Sequence, residues 1–141
     1  MRYVLDSSVA VKWVLPEVDS AKALHLRTEY QAAIHQLLSP DVFPIEVAHA
    51  LARAERRKLI PVGDAAVHLG NVLSTAPQLH AYQPLLQRAL SIASQARIGV
   101  YDCLYVALAE QESCTLVTAD ARLVNVLQAR FPFIVLLAAL P

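Results

Sequence analysis

The sequence predicts an α/β fold in which a parallel central sheet is covered by helices. Short apolar runs rich in β-branched residues alternate along the chain with longer segments of helical character. Several of these runs end directly at a polar residue that can cap a following helix, as in strand–helix units. The chain has 141 residues and contains no internal repeat, low-complexity tract or linker, so we expect a single domain over residues 1–141.

The elements of the first half are predicted from apolar runs and their polar ends. Tyr3-Val4-Leu5 meets Asp6-Ser7-Ser8, a pattern typical of a buried strand that ends at a helix N-cap. Pro44 suits the first turn of a later helix, and Ser39-Pro40-Asp41 is typical of a turn. The predicted elements are a strand at 3–5, a helix from 9 to the break near Pro16, a helix at 21–33, a strand at 34–38 and a helix from 44 to the basic cluster at 56–58.

The second half continues the alternation of strands and helices. Asp64 and Asp120 each stand where they can cap a helix, and Thr115-Leu116-Val117-Thr118 is typical of a buried strand. Because helices rather than tight turns separate the strands, we expect the strands to lie parallel. The predicted elements are helices at 64–75, 84–96, 100–111 and 120–130, and strands at 79–82, 115–118 and 134–137.

Composition excludes several classes of protein. Hydrophobic residues make up 56% of the chain and charged residues 17%, a balance that excludes intrinsic disorder. The longest uninterrupted apolar run, residues 133–140, is far shorter than the ~18 residues of a membrane span. The chain has only three glycines, which are too few for a glycine-rich phosphate-binding loop. Its net charge of zero predicts no strongly basic surface that would bind duplex DNA. The apolar excess also indicates that a partner covers part of the surface.

The start of the chain and its cysteines indicate the compartment. Asp6 stands where a secretory signal peptide would have its apolar region. Cys103 and Cys114 are the only cysteines and form no CxxC pair, so we expect free thiols in a reducing environment. These observations predict a cytoplasmic protein.

Four of the twelve Asp and Glu residues are embedded in apolar sequence, whereas the other eight lie in polar or loop surroundings. Asp6 and Asp120 could simply be helix N-caps. Glu46 and Asp102 could be first-turn acids that the helix dipole stabilises. Taken together, however, the four acids share one location. Asp6 and Asp120 follow predicted strands, and Glu46 and Asp102 lie near predicted helix starts. Both kinds of position face the carboxyl edge of a parallel sheet, where ligands bind.

Four carboxylates at one edge would repel each other strongly unless protons or a cation intervened. Oxygen ligands suit hard cations, and no Cys or His belongs to the cluster, so Mg²⁺ or Mn²⁺ is preferred over Zn²⁺. Such ions can activate water and stabilise an in-line displacement at phosphorus. The sequence therefore predicts a metal site, with catalysis of a phosphodiester reaction as its chemistry. The predicted ligands are Asp6, Glu46, Asp102 and Asp120.

The contexts of these acids form four short motifs in a fixed order. They are Asp6-Ser7-Ser8, Glu46 in a Pro-x-Glu setting, Asp102 in Tyr101-Asp102-Cys103-Leu104-Tyr105-Val106-Ala107-Leu108-Ala109, and Asp120 in Val117-Thr118-Ala119-Asp120. In these motifs, and over nearly its whole length, the chain resembles PIN-domain nucleases. More closely, it resembles the VapC-type ribonuclease toxins of bacterial and archaeal toxin–antitoxin pairs.

The resemblance implies a three-layer α/β/α fold with a central parallel sheet, and Mg²⁺- or Mn²⁺-dependent endonucleolytic cleavage of RNA by metal-activated water. It implies that the four acids bind the metal and that Ser8 and Thr118 support them. It also implies a homodimer that a VapB-type antitoxin silences by laying its tail across the active site, in a heterotetramer or larger assembly. Some members carry a further acid after the last one, but positions 121–124 hold none here.

Basic residues near the acids are candidates for RNA contact. Arg53 and Arg57 share one face of the helix that carries Glu46, and Arg122 follows Asp120 by two residues. The alternative is a solvated helix end whose cations match the helix dipole, with Arg122 paired to an acid of the cluster. Without the four clustered acids, 12 Lys and Arg stand against 8 Asp and Glu, a balance of +4 that suits electrostatic guidance of RNA.

Other conspicuous side chains are assigned structural roles. His49 is expected to be structural or solvent-facing rather than a general base. Trp13, Tyr101 and Tyr105 are expected in the core or at an interface rather than as base-stacking platforms. Cys103 is expected to pack as a small apolar residue.

The same residues bear on four alternative functions. A haloacid-dehalogenase-type phosphatase needs a second Asp where Ser8 stands, and a response-regulator receiver needs an acidic pair that is absent after the first strand. A PIN-family RNA-processing nuclease that is not a toxin, or a non-catalytic PIN-like binding module, would keep the predicted fold. The intact set of four acids argues against the non-catalytic module.

Overall fold

The computed structural model describes residues 1–141, with five strands and seven α-helices. The strands are β1 (Arg2–Leu5), β2 (Gln36–Pro40), β3 (Gln78–His80), β4 (Thr115–Thr118) and β5 (Ile134–Leu136). They form one sheet in the order β3-β2-β1-β4-β5, and every neighbouring pair is parallel. The predicted parallel sheet is confirmed.

Helices cover both faces of this sheet. The α-helices are α1 (Ser7–Val11), α2 (Ser20–Gln31), α3 (Phe43–Arg56), α4 (Asp64–Leu73), α5 (Leu86–Ala96), α6 (Val100–Glu112) and α7 (Ala121–Leu127). Short 3₁₀ segments at Gln83–Leu85 and Leu137–Ala139 complete the chain. No helix combines the length and the apolar character that a membrane crossing would require.

Alternate residues of the central strands enter two separate apolar clusters. Val4, Leu38 and Leu116 pack into one cluster with side chains of α5, α6 and α7. Their neighbours Leu5, Leu37 and Val117 pack into the other cluster with side chains of α1, α2, α3 and α4. This period-two division of buried residues makes the fold the predicted three-layer α/β/α arrangement.

Two of the predicted core aromatics are buried as expected. Trp13 is only 6% exposed, and its indole Nε1 donates a hydrogen bond to the backbone oxygen of Ala23 at 2.9 Å. Tyr105 is fully buried in α6, a helix whose residues from Cys103 to Ala109 are all buried. A helix that is apolar on all sides is expected where it packs between the sheet and α5.

Strand β2 differs from the sequence-based prediction by two residues. Ile34 does not begin the strand, because Ala33 adopts a φ of 60° and the amide of Ile34 donates to the Glu29 oxygen at 2.9 Å, closing the end of α2. The predicted turn at Ser39-Pro40 is wrong. Both residues belong to β2, where the buried hydroxyl of Ser39 donates to the Leu5 oxygen at 2.6 Å.

The N-terminus of α4 is capped differently from the prediction. Asp64 lies inside the first turn, and the N-cap is Gly63, whose φ of 98° favours glycine. The carboxylate of Glu55 accepts hydrogen bonds from the amides of Gly63 and Ala65, both at 2.9 Å. An acid from another helix therefore satisfies the free amides that Asp64 was expected to cap. Three further boundaries differ from the predictions. Helix α1 ends at Val11 rather than near Pro16, β3 ends at His80 rather than at residue 82, and α7 ends at Leu127 rather than near residue 130.

The position of β1 determines where the site is found. The chain runs from β1 through β2 to β3 on one side, and then returns to place β4 on the other side of β1. The gap between the carboxyl ends of β1 and β4 is therefore the switch point of strand order. In open parallel sheets, this is the position at which ligands bind.

Removal of the Glu55 carboxylate should destabilise the fold without touching the edge at which β1 and β4 end. We expect Glu55→Ala to lower the free energy of unfolding by about 1 kcal/mol, because two α4 amides lose their acceptor, and to lower the melting temperature by roughly 3 °C. The control is Glu17→Ala, which removes an exposed carboxylate that contacts only Lys12, at 3.5 Å. Equal thermal melting curves for the two variants, followed by circular dichroism, would contradict the role of Glu55.

Candidate active site

The four predicted acids line one cavity of about 480 Å³ at the carboxyl edge of the sheet. Asp6 follows β1 directly, and Asp120 follows β4 after one intervening residue. Glu46 and Asp102 lie in the first turns of α3 and α6. The complete lining is Asp6, Ser7, Ser8, Val11, Ile45, Glu46, His49, Ala50, Arg53, Tyr101, Asp102 and Asp120.

Asp6 is only 4% exposed and is held by two hydroxyl groups. Ser8 Oγ and Thr118 Oγ1 both donate to Asp6 Oδ2, each at 2.7 Å. The Asp6 side chain makes no capping bond to α1, so the simple N-cap explanation does not apply to it. One of the hydrogen bonds that hold its carboxylate comes instead from Thr118, on the neighbouring strand β4 and 112 positions later in the chain.

The same two hydroxyls also accept hydrogen bonds from the loop that follows β4. The amide of Ala119 donates to Ser8 Oγ at 3.0 Å, and the amide of Asp120 donates to Thr118 Oγ1 at 3.1 Å. Each hydroxyl therefore connects a backbone amide of the loop to the Asp6 carboxylate. This network sets the position of the Asp120 backbone relative to Asp6.

Asp120 does act as the N-cap of α7. Its Oδ1 accepts hydrogen bonds from the amides of Arg122 at 2.9 Å and Leu123 at 3.4 Å. Both bonds use one oxygen of the carboxylate. Capping thus anchors the Asp120 side chain at the rim of the cavity while engaging only half of its acceptor capacity.

Burial and mutual repulsion raise the pKa values of three acids. Burial raises the pKa of Asp6, and the charge of Asp120 acts in the same direction, against the two hydroxyl hydrogen bonds. Burial raises the pKa of Glu46 to about 7, and the charges of Asp6 and Asp102 add to the shift. Burial also raises the pKa of Asp102 to about 6, with the charges of Asp6 and Asp120 adding and that of Arg122 opposing.

Glu46 also lacks a partner for one of its oxygens. Its Oε1 is buried and accepts no hydrogen bond, and the hydroxyl of Tyr105, the buried side chain of α6, is also without a partner. The two groups are nevertheless close enough that this hydroxyl opposes the rise in the Glu46 pKa. Burial raises the pKa of Tyr105, and the charges of Asp6 and Glu46 add to the effect. A buried carboxylate oxygen without a donor is costly unless a proton or a cation satisfies it.

The donor set fits a hard divalent cation in its chemistry. All four acids offer oxygen ligands. A nearby cation would lower the raised pKa values of Asp6, Glu46 and Asp102, because it favours the charged carboxylates. It could also satisfy the buried Oε1 of Glu46. As placed, however, no group of three or more Asp, Glu, His or Cys side chains has the arrangement of a metal site. Repulsion between the carboxylates opposes a closer approach when no cation lies between them.

The predicted RNA-contacting arginines differ in their placement. Arg53 lines the cavity, and its Nη2 lies 3.3 Å from Nε2 of His49, which lines the cavity as well. Arg57 is exposed and does not line the cavity, since it lies at the C-cap of α3. Arg122 does not line the cavity either, although its positive charge is near enough to lower the pKa of Asp102. None of the three arginines makes an ion pair with an Asp or Glu side chain.

The apolar part of the lining was not predicted from the sequence. Tyr101 was expected in the core or at an interface, but it is 53% exposed and lines the cavity, so its assignment to the core is wrong. Ile45, which is 67% exposed, lines the cavity too. Each residue directly precedes a clustered acid, Asp102 or Glu46, at the start of a helix, and this adjacency was the available signal.

The fold and the cavity together define a class of protein, and comparisons with known families agree with it. The model of the PIN domain matches residues 3–127. The crystal structure of PAE2754 from Pyrobaculum aerophilum has the same fold, with a TM-score of 0.71 and 22% identity over 98% of this chain and 93% of that chain. The chain therefore belongs to the PIN-domain family.

Sequence relatives narrow the assignment within that family. Ribonuclease VapC3 of Pyrobaculum aerophilum is 31% identical over 137 residues, which cover 96% of this chain and 98% of the relative. Ribonuclease VapC12 of Mycobacterium tuberculosis is 36% identical over 121 residues, which cover 85% and 88%. The structure of VapBC2 from Rickettsia felis, bound to a DNA fragment from the promoter, shares the fold with a TM-score of 0.61 and 17% identity over 96% of this chain and 97% of that chain. This chain belongs with the VapC ribonucleases.

Acidification should stabilise the metal-free protein. A carboxyl group whose pKa is higher in the folded state than in the unfolded state binds protons more tightly when folded, so stability rises as pH falls from the folded pKa to the unfolded pKa. For Glu46 this window runs from about 7 down to 4.5, and for Asp102 from about 6 down to 3.8. In EDTA, we expect the free energy of unfolding to rise by on the order of 2 kcal/mol between about pH 8 and pH 5, after allowance for solvent screening.

The comparison variant for this measurement is Glu46→Gln, which should flatten the dependence of melting temperature on pH. Asp64→Asn removes a carboxyl group outside the cavity and should leave the dependence unchanged. Parallel pH profiles for wild type and Glu46→Gln would contradict the assignment of the raised pKa to Glu46.

Proposed function

We propose that this protein is a metal-dependent endoribonuclease and the toxin of a VapBC-type toxin–antitoxin pair. The observation that carries the proposal is the convergence of four carboxylates, from four separate elements, on one cavity at the switch point of the sheet. Membership among the VapC ribonucleases supports ribonuclease activity as the use of this cavity.

The residues proposed to hold Mg²⁺ or Mn²⁺ are Asp6, Asp102 and Asp120, with Glu46 as a direct or water-mediated ligand. Their oxygen-only chemistry, the raised pKa values of Asp6, Glu46 and Asp102, and the unsatisfied Glu46 oxygen support this set. When bound, such an ion would lower the pKa of a water molecule and would compensate negative charge at the phosphodiester.

The chain's own residues provide orientation and charge around that chemistry. Ser8 and Thr118 hold Asp6 in one rotamer through their hydrogen bonds to Oδ2, so the carboxylate does not need to reorganise during the reaction. The capping bonds of Asp120 restrict its side chain in the same way. Arg53 is free of carboxylate partners at the cavity and is proposed to bind a phosphate of the RNA, with Arg57 and Arg122 as outer contacts.

The proposed partners follow from the family. We propose that a VapB-type antitoxin inhibits the protein, that the protein forms a homodimer and a heterotetramer or larger assembly with the antitoxin, and that it acts in the cytoplasm. The VapBC2 structure from Rickettsia felis is the related example named with both components. Large exposed side chains such as Val62, at 90%, and Val67, at 71%, offer apolar surface for such contacts.

Cleavage of total cellular RNA tests the activity. Purified protein with Mn²⁺ should produce discrete fragments, and EDTA should abolish them. Asp6→Asn and Asp102→Asn should each lower the rate by roughly 100-fold or more, because each variant loses a charged oxygen ligand of the proposed metal ion. The products should carry 5′-phosphate and 3′-hydroxyl ends, which adapter ligation would identify.

Asp64→Asn is the matched control for the cleavage assay, since its carboxylate lies in the first turn of α4 outside the cavity. Wild-type cleavage rates in Asp6→Asn or Asp102→Asn would contradict the site. Absence of cleavage by antitoxin-free wild-type protein at several concentrations would contradict the nuclease assignment and favour a non-catalytic PIN-like module.

The salt dependence of RNA binding tests the role of Arg53. We expect Arg53→Ala to weaken binding to all RNA sequences alike and to reduce the slope of log K against log salt by about 1, because one phosphate contact is lost. Arg88→Ala is the charge-matched control, since Arg88 lies on α5 and is paired with Glu110. The measurement is fluorescence anisotropy across a salt series, and equal slopes for the two variants would exclude a specific phosphate contact at Arg53.

A further inference from the structure

One wall of the cavity has a composition that metal binding does not explain. Beside the acids, the lining includes the side chains of Val11, Ile45, Ala50 and Tyr101. Ile45 is 67% exposed and Tyr101 is 53% exposed, so both side chains present accessible apolar surface in the cavity that the carboxylates line. The Tyr101 ring therefore offers apolar surface directly beside Asp102.

Local structure fixes this juxtaposition. Tyr101 and Asp102 are consecutive in the first turn of α6, and Ile45 and Glu46 are consecutive in the first turn of α3. Each helix start thus brings one acid and one exposed apolar side chain to the same cavity. The apolar side chains therefore line the same cavity as the acids at which the phosphodiester is proposed to react.

The charges around this wall favour a nucleotide as its occupant. Arg53 and His49 line the cavity from the later turns of α3, and Arg53 has no carboxylate partner there. A nucleotide combines an anionic phosphate with a base whose two faces are apolar and aromatic. Base–aromatic stacking is a common source of affinity for single-stranded nucleic acid and tolerates any base.

We propose that Tyr101 and Ile45 form a nucleobase subsite, in which the base next to the scissile phosphate stacks on the Tyr101 ring and contacts Ile45. The proposal rests on the proposed ribonuclease function and names one contact by which that site recognises RNA. Phosphate contacts position a nucleic acid without reading its bases, so this subsite would be the point at which the cavity senses a base.

The test compares binding of a short oligouridylate with binding of the same oligomer without its bases, in Mg²⁺, by fluorescence anisotropy. All proteins carry Asp120→Asn, which limits cleavage while an Asn keeps the N-cap of α7. With Tyr101 present, removal of the bases should weaken binding by roughly tenfold. Tyr101→Ala should weaken oligouridylate binding by about the same factor and leave binding of the abasic oligomer unchanged, because the two changes remove the same contact.

Three further variants separate stacking from a structural effect. Tyr101→Phe keeps the ring and should restore the dependence on bases, and Ile45→Ala should reduce it in part. Leu90→Ala removes another exposed apolar side chain, 57% exposed on α5 and outside the cavity, and should change nothing. Thermal melting confirms that each variant is folded.

The proposal is overturned if Tyr101→Ala binds oligouridylate as Leu90→Ala does, or if it weakens binding of the intact and abasic oligomers equally. An effect of Tyr101→Ala on binding of a VapB-type antitoxin, with none on oligouridylate, would likewise overturn it and assign the wall to a protein partner. Failure of the subsite and failure of the proposed function give different results. RNA cleavage by wild type without Tyr101-dependent binding contradicts only the subsite, whereas Tyr101-dependent binding without cleavage contradicts the nuclease assignment.

Discussion

The pairing of β1 with β4 at the centre of the sheet is the interaction on which the site depends. The amide of Asp6 donates to the Val117 oxygen at 3.0 Å, which extends the strand pairing by one residue and brings the Asp6 side chain beside Thr118. The hydroxyls of Thr118 and Ser8 can then satisfy a carboxylate that is almost fully buried. Without this pairing the buried acid would lose the Thr118 donor, and Asp120 would have no fixed position relative to Asp6.

The cavity and the core place opposite demands on the fold. The raised pKa values of Asp6, Glu46 and Asp102 mean that the folded state buries these carboxylates and brings their charges together, whereas the unfolded chain keeps them hydrated and apart. Two apolar clusters, one on each face of the sheet, offset that cost. The destabilising acids and the stabilising clusters also lie in different places, since the acids are at the carboxyl edge of the sheet and the clusters are on its two faces.

Local sequence pattern predicted the features that local interactions determine. The strand at 115–118 was predicted to the residue because its apolar run has polar residues at both ends, and the four acids were found because their neighbours are apolar. The errors lie where a distant group decides the outcome: Ser39 belongs to a strand because Leu5 accepts its hydroxyl, and the α4 cap depends on Glu55. For the exposure of Tyr101 the sequence offered only its position next to Asp102, because an apolar residue at a helix start is buried or exposed according to how the whole helix docks.

The distance in sequence between Asp6 and Thr118 has a consequence for synthesis of the protein. The central strand β1 is made first, but its second neighbour, β4, is among the last elements to be made. A growing chain that has folded β1, β2 and β3 therefore has an open edge on β1 and lacks both Thr118 and Asp120. The cavity cannot be complete on the ribosome until Asp120 has emerged, so translation itself delays the appearance of activity.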